Sequence, residues 1–562
     1  MISLFLSKRG TTYEQMLSQN GDIILEHCIL ASVKMERNAI WYLTIEVPES
    51  ELMGYSVTDE SVFKVDLNFI KGQLFRMIYP KYNKTKHTYT FYASHIFFDA
   101  QYECMWTRDA AWPAYPSNPD KDGVPHSWNE AIDRLNDLIS NYTGAGKTTL
   151  PPYKIIGRDP APEFLNEIPE DERVVYIRWK KDPGFGIDIY NRVTTSGTPI
   201  NLFEHNRSIA QRFYLIKRSN GFYSIVYYFG NMMVQLYGVP DSSGLADGNR
   251  ICINHPPTEN YGNNDLWQLD WFEEKQGFRI APKRDTNFCW DNNNGLSQNK
   301  NNVDIRSWLG LDSDSADNKI WTFTYADLYQ HIKWDDKNII DCMFGTDDNS
   351  MSEAFPQVAE YHITAMLDNY TCYFGDAKLY PQDLMPRQIY LTDKELTDFK
   401  ETRTMKNVLT GIIPEGSGNE KLSWSDTTKH AGRLVKGSYW DKYEVNRINK
   451  VTYNDIALNT EDPNSNEAFT NRSAYDAALK NRALMDLHKK KYCEPDVQTE
   501  TRIVDLFRDS NPTVGQAKLN DELIYISDDG ARRQKFYFES LTYDLLLERI
   551  TNADLVEEME VE

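Results

Sequence analysis

The sequence predicts a mainly β protein of the α+β type, with several domains and only a few helices. The chain has 562 residues, which is more than one hydrophobic core normally supports, so several domains are expected. Aromatic residues make up 13% of the chain, including 34 Tyr and 13 Trp, and aromatic residues favour strands. Alternating or β-branched runs, such as AIWYLTIEV and SVFKVDLNFI, recur between turn-prone residues, as strands do.

The charge balance and the cysteine pattern exclude several classes of protein. A formal net charge of −22 would repel a phosphate backbone, so we expect no nucleic-acid specificity. The seven cysteines are widely spread and include no CxxC pair, which predicts reduced thiols and a protein made in a cytosol. The ten histidines show no spacing typical of a metal site, so we expect neither a metal nor a cofactor.

The sequence also predicts that the chain is neither inserted in a membrane nor exported. No apolar run approaches the roughly 20 residues that span a bilayer. The start, MISLFLSKRG, has a short apolar stretch with its charges on the wrong side for a signal peptide.

The first part of the chain, residues 1–106, is predicted to consist of strands, and a helix follows at Ser127–Ser140. Ser127 and Glu130 have the spacing of a capping box, and apolar residues recur on one face of this helix. The segment GAGKTT resembles a phosphate-binding loop, but Asn141 stands where that motif needs a glycine, and prolines follow. We therefore expect a linker here instead of a nucleotide site.

The last part of the chain is predicted to mix helices and strands. A helix is expected near 352–368, and a second one starts near Ser473 with Asp476 at the capping-box position. Lys489, Lys490 and Lys491 stand at the C-terminal end of that second helix, where the helix dipole favours cations. Strands return with TETRIVDLF, ELIYISDDG and RRQKFYFESLTYD.

A threefold repeat occupies residues 171–327. Three blocks open with YIRW, YSIVYY and FRIAPK, and they close with QRF, DLW and KIW. The closing aromatic residues, Phe213, Trp267 and Trp321, follow one another at equal intervals along the chain. The alternative is a plain β-sandwich whose blocks are similar by accident.

These blocks resemble the three lobes of a ricin-type β-trefoil lectin, whose repeats end in a Gln-x-Trp signature. Only lobe one keeps the glutamine, Gln211, whereas Asp265 and Lys319 stand there in lobes two and three. The resemblance implies a β-trefoil with one core aromatic residue per lobe. It also implies a sugar pocket in each lobe, with an aspartate and an asparagine as polar clamp and an aromatic ring as stacking platform.

The resemblance assigns candidate sugar-binding residues lobe by lobe. Lobe one has Asp188, Phe203 and Asn206, with Asn206 at the family spacing from Gln211. The alternatives are a core role for Phe203 and turn capping for Asp188 and Asn206. Lobe two has Gln235 and Asn254 in the aspartate and aromatic positions and is expected to be impaired, while lobe three keeps Asp291 and offers Trp308.

The regions on either side of the repeat resemble phage tail-tip hub proteins: the prophage endopeptidase-tail, or tail-associated lysin, family, related in fold to contractile-phage baseplate hubs. The matching segments follow the family's order: GQLFRMIYPKYNKTKHTYTFYASHIFFDA, SWNEAIDRLNDLI, MKNVLTGIIPEGSG, the helix at 473–490, TRIVDLF, LNDELIYISDDG and FESLTYDLLLERITNADL. They cover roughly residues 1–140 and 340–556. The resemblance implies a homotrimer of tube-like β-barrel domains.

Together these patterns predict three regions and a structural role. The regions are an N-terminal hub region at 1–170, the inserted trefoil at 171–327 and a C-terminal hub region at 328–562. The resemblance implies a virion protein of the tail tip or baseplate that contacts distal tail protein and tail-tube or tape-measure proteins. Its trefoil would contact a host-surface glycan.

The alternative function is enzymatic, namely a cell-wall hydrolase that uses the trefoil as a carbohydrate-binding module. The chain contains no GxSxG, no HExxH and no Cys-His arrangement of recognisable spacing. Its many carboxylates could still meet in space as a glycosidase pair, although such residues are usually solvated surface. We therefore expect no enzymatic activity and assign no catalytic residue.

Overall fold

The computed structural model describes residues 1–6, 12–58, 60–101, 125–143, 153–169, 173–240, 242–255, 262–330, 332, 334, 337–347, 349–392, 396–405, 408–422, 433–453, 456–458, 468–469, 472–488, 496–503, 517–526 and 533–558. The GAGKTT segment at 144–149 and the lysines at 489–491 lie outside these residues.

The N-terminal region consists mainly of antiparallel strands, as predicted. In Leu30–Glu36, the side chains of Val33 and Met35 are buried while Lys34 is exposed, so one face of the strand points to the core. The strands are β1 (Ile2–Phe5), β2 (Ile23–Ile24), β3 (Leu30–Glu36), β4 (Tyr42–Pro48), β5 (Val62–Val65), β6 (Gln73–Asn83), β7 (Thr88–His95), β8 (His126–Ser127) and β9 (Lys154–Ile156). The helices are α1 (Tyr13–Ser18) and α2 (Trp128–Thr143).

The capping box predicted for α2 is present. The Ser127 N–H donates to Glu130 Oε2 at 2.8 Å, and the Glu130 N–H donates to Ser127 Oγ at 3.3 Å. These two bonds satisfy donors that a helix N-terminus leaves without an intrahelical acceptor. The apolar face of α2, with Ala131, Ile132 and Leu135, is buried in the core.

The repeat region folds as a β-trefoil. The strands of lobe one are β10 (Val174–Trp179), β11 (Phe185–Asp188), β12 (Thr198–Pro199), β13 (Asn201–Glu204) and β14 (Arg212–Lys217). Those of lobe two are β15 (Tyr223–Tyr227), β16 (Met232–Leu236), β17 (Asn249–Ile253) and β18 (Trp267–Phe272). Those of lobe three are β19 (Gly277–Pro282), β20 (Phe288–Asn292), β21 (Asn301–Ser307) and β22 (Trp321–Tyr325).

The strand pairings close a barrel. The first and last strands of the lobes pair in the cycle β10, β14, β15, β18, β19, β22 and back to β10. The two middle strands of each lobe form hairpins, and β21 pairs with both β13 and β17 where the hairpins meet. This topology rules out the β-sandwich alternative, because the six strands form one closed ring. Phe213, Trp267 and Trp321 are all fully buried in it.

The C-terminal region is mixed. Its strands are β23 (Tyr329–Gln330), β24 (Met366–Asp368), β25 (Thr371–Tyr373), β26 (Gln388–Leu391), β27 (Leu396–Thr404), β28 (Gly411–Gly416), β29 (Val435–Lys436), β30 (Ile448–Tyr453), β31 (Ala457–Leu458), β32 (Ala468–Phe469), β33 (Asp496–Ile503), β34 (Glu522–Ile526), β35 (Arg533–Asp544) and β36 (Arg549–Glu558). Its helices are α3 (Ile339–Phe344), α4 (Met351–Ala354), α5 (Gln357–Glu360) and α6 (Arg472–His488).

One helix prediction is right and one is wrong. The helix expected from Ser473 is present as α6 and begins one residue earlier. The single helix expected near 352–368 is absent: two one-turn helices, α4 and α5, are followed by strand β24. Pro356 explains the break, since a residue before proline avoids the helical conformation and Phe355 is extended, with ψ 115°.

The N-terminal and C-terminal regions share one sheet and one core. Strand β3 pairs with β4 on one side and with β35 on the other, so that Val33 lies opposite Tyr543. One apolar cluster contains Leu4, Val33, Leu135 and Leu541. The trefoil therefore interrupts a body whose two parts meet directly; we use "body" for the residues of this sheet and core.

A second core joins the trefoil to residues 408–488 of the C-terminal region. This cluster contains the barrel residues Phe213 and Trp267 together with Phe469, Tyr475 and Leu479. The C-terminal region, predicted as one hub region, thus divides its apolar residues between the body and the trefoil.

Candidate functional site

Lobe one brings the predicted aspartate and aromatic residue onto one face of a hairpin. Asp188 lies opposite Asn201, and Phe203 lies opposite Gly186, two residues away on each strand. Residues two apart on a strand share a face. The Asp188 side chain is 5% exposed, whereas Phe203 is half-buried. The pair therefore offers a recessed carboxylate beside an accessible ring.

Gln211 fixes the loop that carries Asn206. Its Oε1 accepts the Asn206 N–H at 3.0 Å and lies 3.2 Å from His205 Nδ1, and its Nε2 donates to the Glu204 carbonyl at 2.8 Å. Gln211 is itself only 1% exposed. Gln211, predicted as a sugar-binding residue, therefore supports the loop through its hydrogen bonds, and little of its surface can contact a ligand.

Burial governs the electrostatics of Asp188. Desolvation raises the pKa of its carboxyl group to about 6, and a hydrogen bond with Gln211 opposes that rise. The carboxyl group is therefore mostly ionised at neutral pH and can accept hydrogen bonds from a pair of sugar hydroxyls. The same charge adds to burial in raising the pKa of the Tyr227 hydroxyl well above its usual value.

Asn206 caps its own turn. Its Oδ1 accepts the Ser208 N–H at 3.0 Å, which is the turn-capping role that the sequence left open. The side chain is half-buried. One acceptor position of its oxygen is therefore used within the loop.

Tyr190 and Lys300 lie on the same surface of lobe one as Phe203, although neither was predicted as a site residue. Tyr190 is 37% exposed, and its ring centroid is 6.4 Å from that of Phe203. Lys300, from lobe three, places Nζ 4.1 Å from the Tyr190 ring centroid, and a hydrogen bond with Lys300 lowers the pKa of Tyr190. Strand β11 ends at Asp188 and Tyr190 begins a 3-10 turn, so strand alternation does not predict the position of Tyr190.

Lobe two differs from lobe one at the aspartate position and at the aromatic position. Gln235 lies opposite Cys252, as Asp188 lies opposite Asn201, so Gln235 takes the aspartate position. Asn254 takes the position of the Phe203 ring, with its N–H bonded to the Met233 carbonyl at 2.9 Å. Lobe two thus has neither a carboxylate nor an aromatic ring at these positions.

Lobe three keeps the aspartate. Asp291 is 5% exposed, and burial raises the pKa of its carboxyl group to about 6. Lys319, which replaces the signature glutamine, is also buried and places Nζ 3.7 Å from Asp291 Oδ2. An ion pair therefore stands where lobe one has a neutral amide beside its aspartate.

Trp308 does not occupy the stacking position expected of it. The register places Arg306 opposite Cys289, which makes Arg306 the equivalent of Phe203. The Trp308 ring stacks instead on Phe272, with centroids 5.5 Å apart and planes inclined by 15°, and the Arg279 guanidinium lies 5.2 Å from its centroid. The physical reason is the hairpin register, which the spacing of the sequence did not fix.

Metal-binding groups, cysteines and membrane-spanning helices can be assessed only in the residues that the structure describes. Within them, no group of three or more His, Cys, Asp or Glu side chains could hold a metal ion. Their five cysteines are free thiols: Cys28, Cys252, Cys289, Cys342 and Cys372. In the same parts of the chain, no helix is both long and apolar enough to cross a membrane.

No protein-family model and no curated protein matches the chain. Among solved structures, the prophage tail protein gp18 from Listeria monocytogenes EGD-e is 10% identical, with a TM-score of 0.36 over 100% of this chain and 95% of its own. The tail protein from Neisseria meningitidis MC58 is 7% identical, with a TM-score of 0.36 over 99% and 96%. The designed threefold-symmetric protein ThreeFoil is 16% identical, with a TM-score of 0.23 over 27% and 97%. These TM-scores are too low for the likeness to indicate a function.

Proposed function

We propose that this chain is a structural protein of the tail tip of a phage, or of a phage-derived particle, whose trefoil contacts a glycan on the host surface. The observation that carries the proposal is the pairing of β3 with β35. It joins the two regions that resemble tail-tip hubs into one sheet, with the trefoil between them in the chain. The body would then serve for assembly, and the trefoil would serve for surface contact.

Three of the segments that carry the hub resemblance lie in the body. GQLFRMIYPKYNKTKHTYTFYASH forms the antiparallel pair β6 and β7, and SWNEAIDRLNDLI forms α2 with its capping box. FESLTYDLLLERITNADL forms the pair β35 and β36. Since all three pack into the body core, they support one hub-like unit.

An exposed apolar patch on the body supports assembly into an oligomer. Ile29 and Leu30 are 54% and 42% exposed, and Leu546 and Leu547 are 43% and 55% exposed. The two pairs are neighbours, because the Leu545 N–H donates to the Ala31 carbonyl at 2.8 Å. Clustered exposed apolar side chains mark interaction sites more often than isolated ones do. We assign this patch to contact with other copies in a homotrimer or with distal tail protein.

The lobe-one surface supports the glycan contact. Asp188 supplies a charged acceptor for sugar hydroxyls, while Phe203 and Tyr190 supply rings for the apolar face of a sugar. One such pocket would bind weakly. Three copies around a trimer would raise the effective affinity without new contacts. A virion location at the tail tip, next to distal tail and tail-tube or tape-measure proteins, follows from this role.

Light scattering tests the assembly half of the proposal. We expect a trimer for the purified protein, alone or with distal tail protein, and a lower mass for Leu547→Lys. Leu309→Lys is the matched control, because Leu309 is 71% exposed on the trefoil and lies outside the patch. A monomeric mass for the wild-type protein under both conditions would refute the trimer.

A cell-wall hydrolase with a trefoil binding module is the competing function. Zymography on peptidoglycan separates the two, because a hydrolase clears the gel and a structural protein does not. Retention on host cell-wall polysaccharide tests the glycan contact. Clearing of the gel by the wild-type protein would refute the proposed structural function in favour of the hydrolase. Loss of clearing when a carboxylate residue is mutated would then identify the catalytic group.

A further inference from the structure

Arg207, the residue after Asn206, connects the lobe-one loop to helix α2 of the body. Its two terminal nitrogens donate to the two carboxylate oxygens of Glu130, at 2.6 Å and 2.9 Å. Nη1 also donates to the Pro125 carbonyl at 3.1 Å, and the guanidinium lies 4.3 Å from the Tyr329 ring centroid. The Arg207 side chain is 8% exposed. A two-bond ion pair in such a site has a fixed geometry.

The backbone of Arg207 is held in a conformation that arginine rarely adopts. Its φ is 57°, in the left-handed region. This region is unfavourable for residues that carry a side chain, apart from a few polar residues such as Asn and Asp. The Tyr176 hydroxyl donates to the Arg207 carbonyl at 3.0 Å and holds one side of the residue. A strained residue keeps such a conformation only where its surroundings fix it. Here the contacts of the guanidinium supply the other constraint.

Glu130 is well placed to hold the arginine. The same carboxylate that receives Arg207 accepts the Ser127 N–H in the α2 capping box. Burial raises the pKa of Glu130, but the hydrogen bonds and charge of Arg207 outweigh it, so the net pKa is lowered. The carboxylate is therefore charged at neutral pH, and α2 fixes its position.

We infer that Arg207 is a positioning residue for the lobe-one pocket, and that Glu130 of the body holds the 204–208 loop in the conformation that presents Asn206. This inference rests on the proposed function of lobe one as a glycan site. It assigns a residue outside the trefoil to the sugar pocket. A lobe-one pocket separated from α2 would keep its direct ligand residues and the hydrogen bonds of Gln211 to the loop, but it would lose the contact that holds Arg207.

Glu130→Gln in the full-length protein is the test variant. Glutamine also serves at the third position of a capping box, so α2 should keep its cap while the ion pair loses its charge. Asp270→Asn is the matched control, since Arg279 Nε donates to Asp270 Oδ2 at 2.9 Å in a pair of similar exposure away from lobe one. Thermal melting of both variants verifies that they fold.

Hydrogen exchange of the peptide covering 203–210 is the first measurement, and it needs no ligand. The Asn206 and Ser208 amides are bonded within the loop, so their exchange reports its order. We expect exchange in this peptide to be roughly tenfold faster in Glu130→Gln than in wild type, and unchanged in Asp270→Asn. Unchanged exchange in Glu130→Gln would overturn the inference.

Binding is the second measurement, made with free galactose, N-acetylgalactosamine, glucose, N-acetylglucosamine and rhamnose. For any sugar whose binding is lost in Asp188→Ala, we expect Glu130→Gln to weaken binding by about threefold to tenfold, with Arg207→Lys weakened similarly. Full binding in Glu130→Gln beside lost binding in Asp188→Ala would overturn the positioning role and leave the glycan site standing. If the wild-type protein binds no sugar and no cell-wall polysaccharide, the proposed glycan contact is refuted, while the exchange measurement still decides whether Glu130 orders the loop.

Discussion

The rings of Phe229 and Phe469 stack face to face, with centroids 4.8 Å apart and planes inclined by 13°. Phe229 follows strand β15 of the trefoil barrel, and Phe469 ends β32 in the C-terminal region. Both side chains are almost fully buried, at 2% and 1% exposed. The trefoil therefore shares apolar contacts with a segment that lies far beyond its own last strand in the sequence.

This contact predicts that the trefoil and residues 408–488 stabilise each other. We expect Phe469→Ala to lower the free energy of unfolding by about 3–5 kcal/mol. In a double-mutant cycle with Phe229→Ala, the coupling should be about 0.5–1.5 kcal/mol. Denaturant unfolding measures both quantities.

A cycle between Phe229→Ala and Phe63→Ala serves as the control for that prediction. Phe63 belongs to the body core, so the two changes should be additive. Zero coupling between Phe229 and Phe469 would contradict the shared core. It would also favour the view that the trefoil can be excised without loss to its surroundings.

Asp188→Asn is expected to weaken glycan binding and to stabilise the fold at pH 7.5. Because burial raises the pKa of Asp188 from 3.8 to about 6, the folded protein holds an ionised buried carboxylate at neutral pH. Removing that charge should raise the free energy of unfolding by roughly 1–3 kcal/mol, and loss of the charged acceptor should weaken binding about tenfold.

The difference in unfolding free energy between wild type and Asp188→Asn should depend on pH. A folded-state pKa above the unfolded value means that the wild type is most stable, with respect to this group, below about pH 4 and loses that stability as the pH rises through about 6. The gain from Asp188→Asn should therefore be absent near pH 4 and complete near pH 7.5. Thermal melts across this range measure it, and a gain that did not vary with pH would refute the assignment.

Phe203→Ala and Phe213→Ala should separate a binding role from a core role. Phe203 is half-buried on the hairpin face of lobe one, so its loss should weaken retention on glycan about tenfold with little change in melting temperature. Phe213 is fully buried in the barrel, so its loss should cost about 3–5 kcal/mol of stability. A large loss of stability in Phe203→Ala would show that this ring serves the core.

Local sequence patterns predicted the features that depend on nearby residues. The capping box of Ser127 and Glu130 follows from a spacing of a few residues. The same spacing at Ser473 and Asp476 predicted α6, but this helix begins at Arg472, so Ser473 lies inside it. The equal spacing of Phe213, Trp267 and Trp321 predicted a threefold repeat, and the resemblance of its blocks to ricin-type lobes implied the trefoil. The single helix expected near 352–368 is absent because Pro356 keeps Phe355 extended.

The mainly β class follows from the alternation along each strand, and the threefold repeat follows from its equally spaced aromatic residues, so both were predictable from the sequence. Asp188 and Phe203 were selected only through the resemblance to ricin-type lobes. The contacts between distant residues depend on the tertiary structure. Hairpin register put Arg306 where Trp308 was expected, and the pairing of β13 with β21 brought Lys300 of lobe three to Tyr190 of lobe one. The packing of α2 gave Arg207 its partner Glu130. Such contacts join residues far apart in the chain, and they depend on register and packing, which local propensity does not encode.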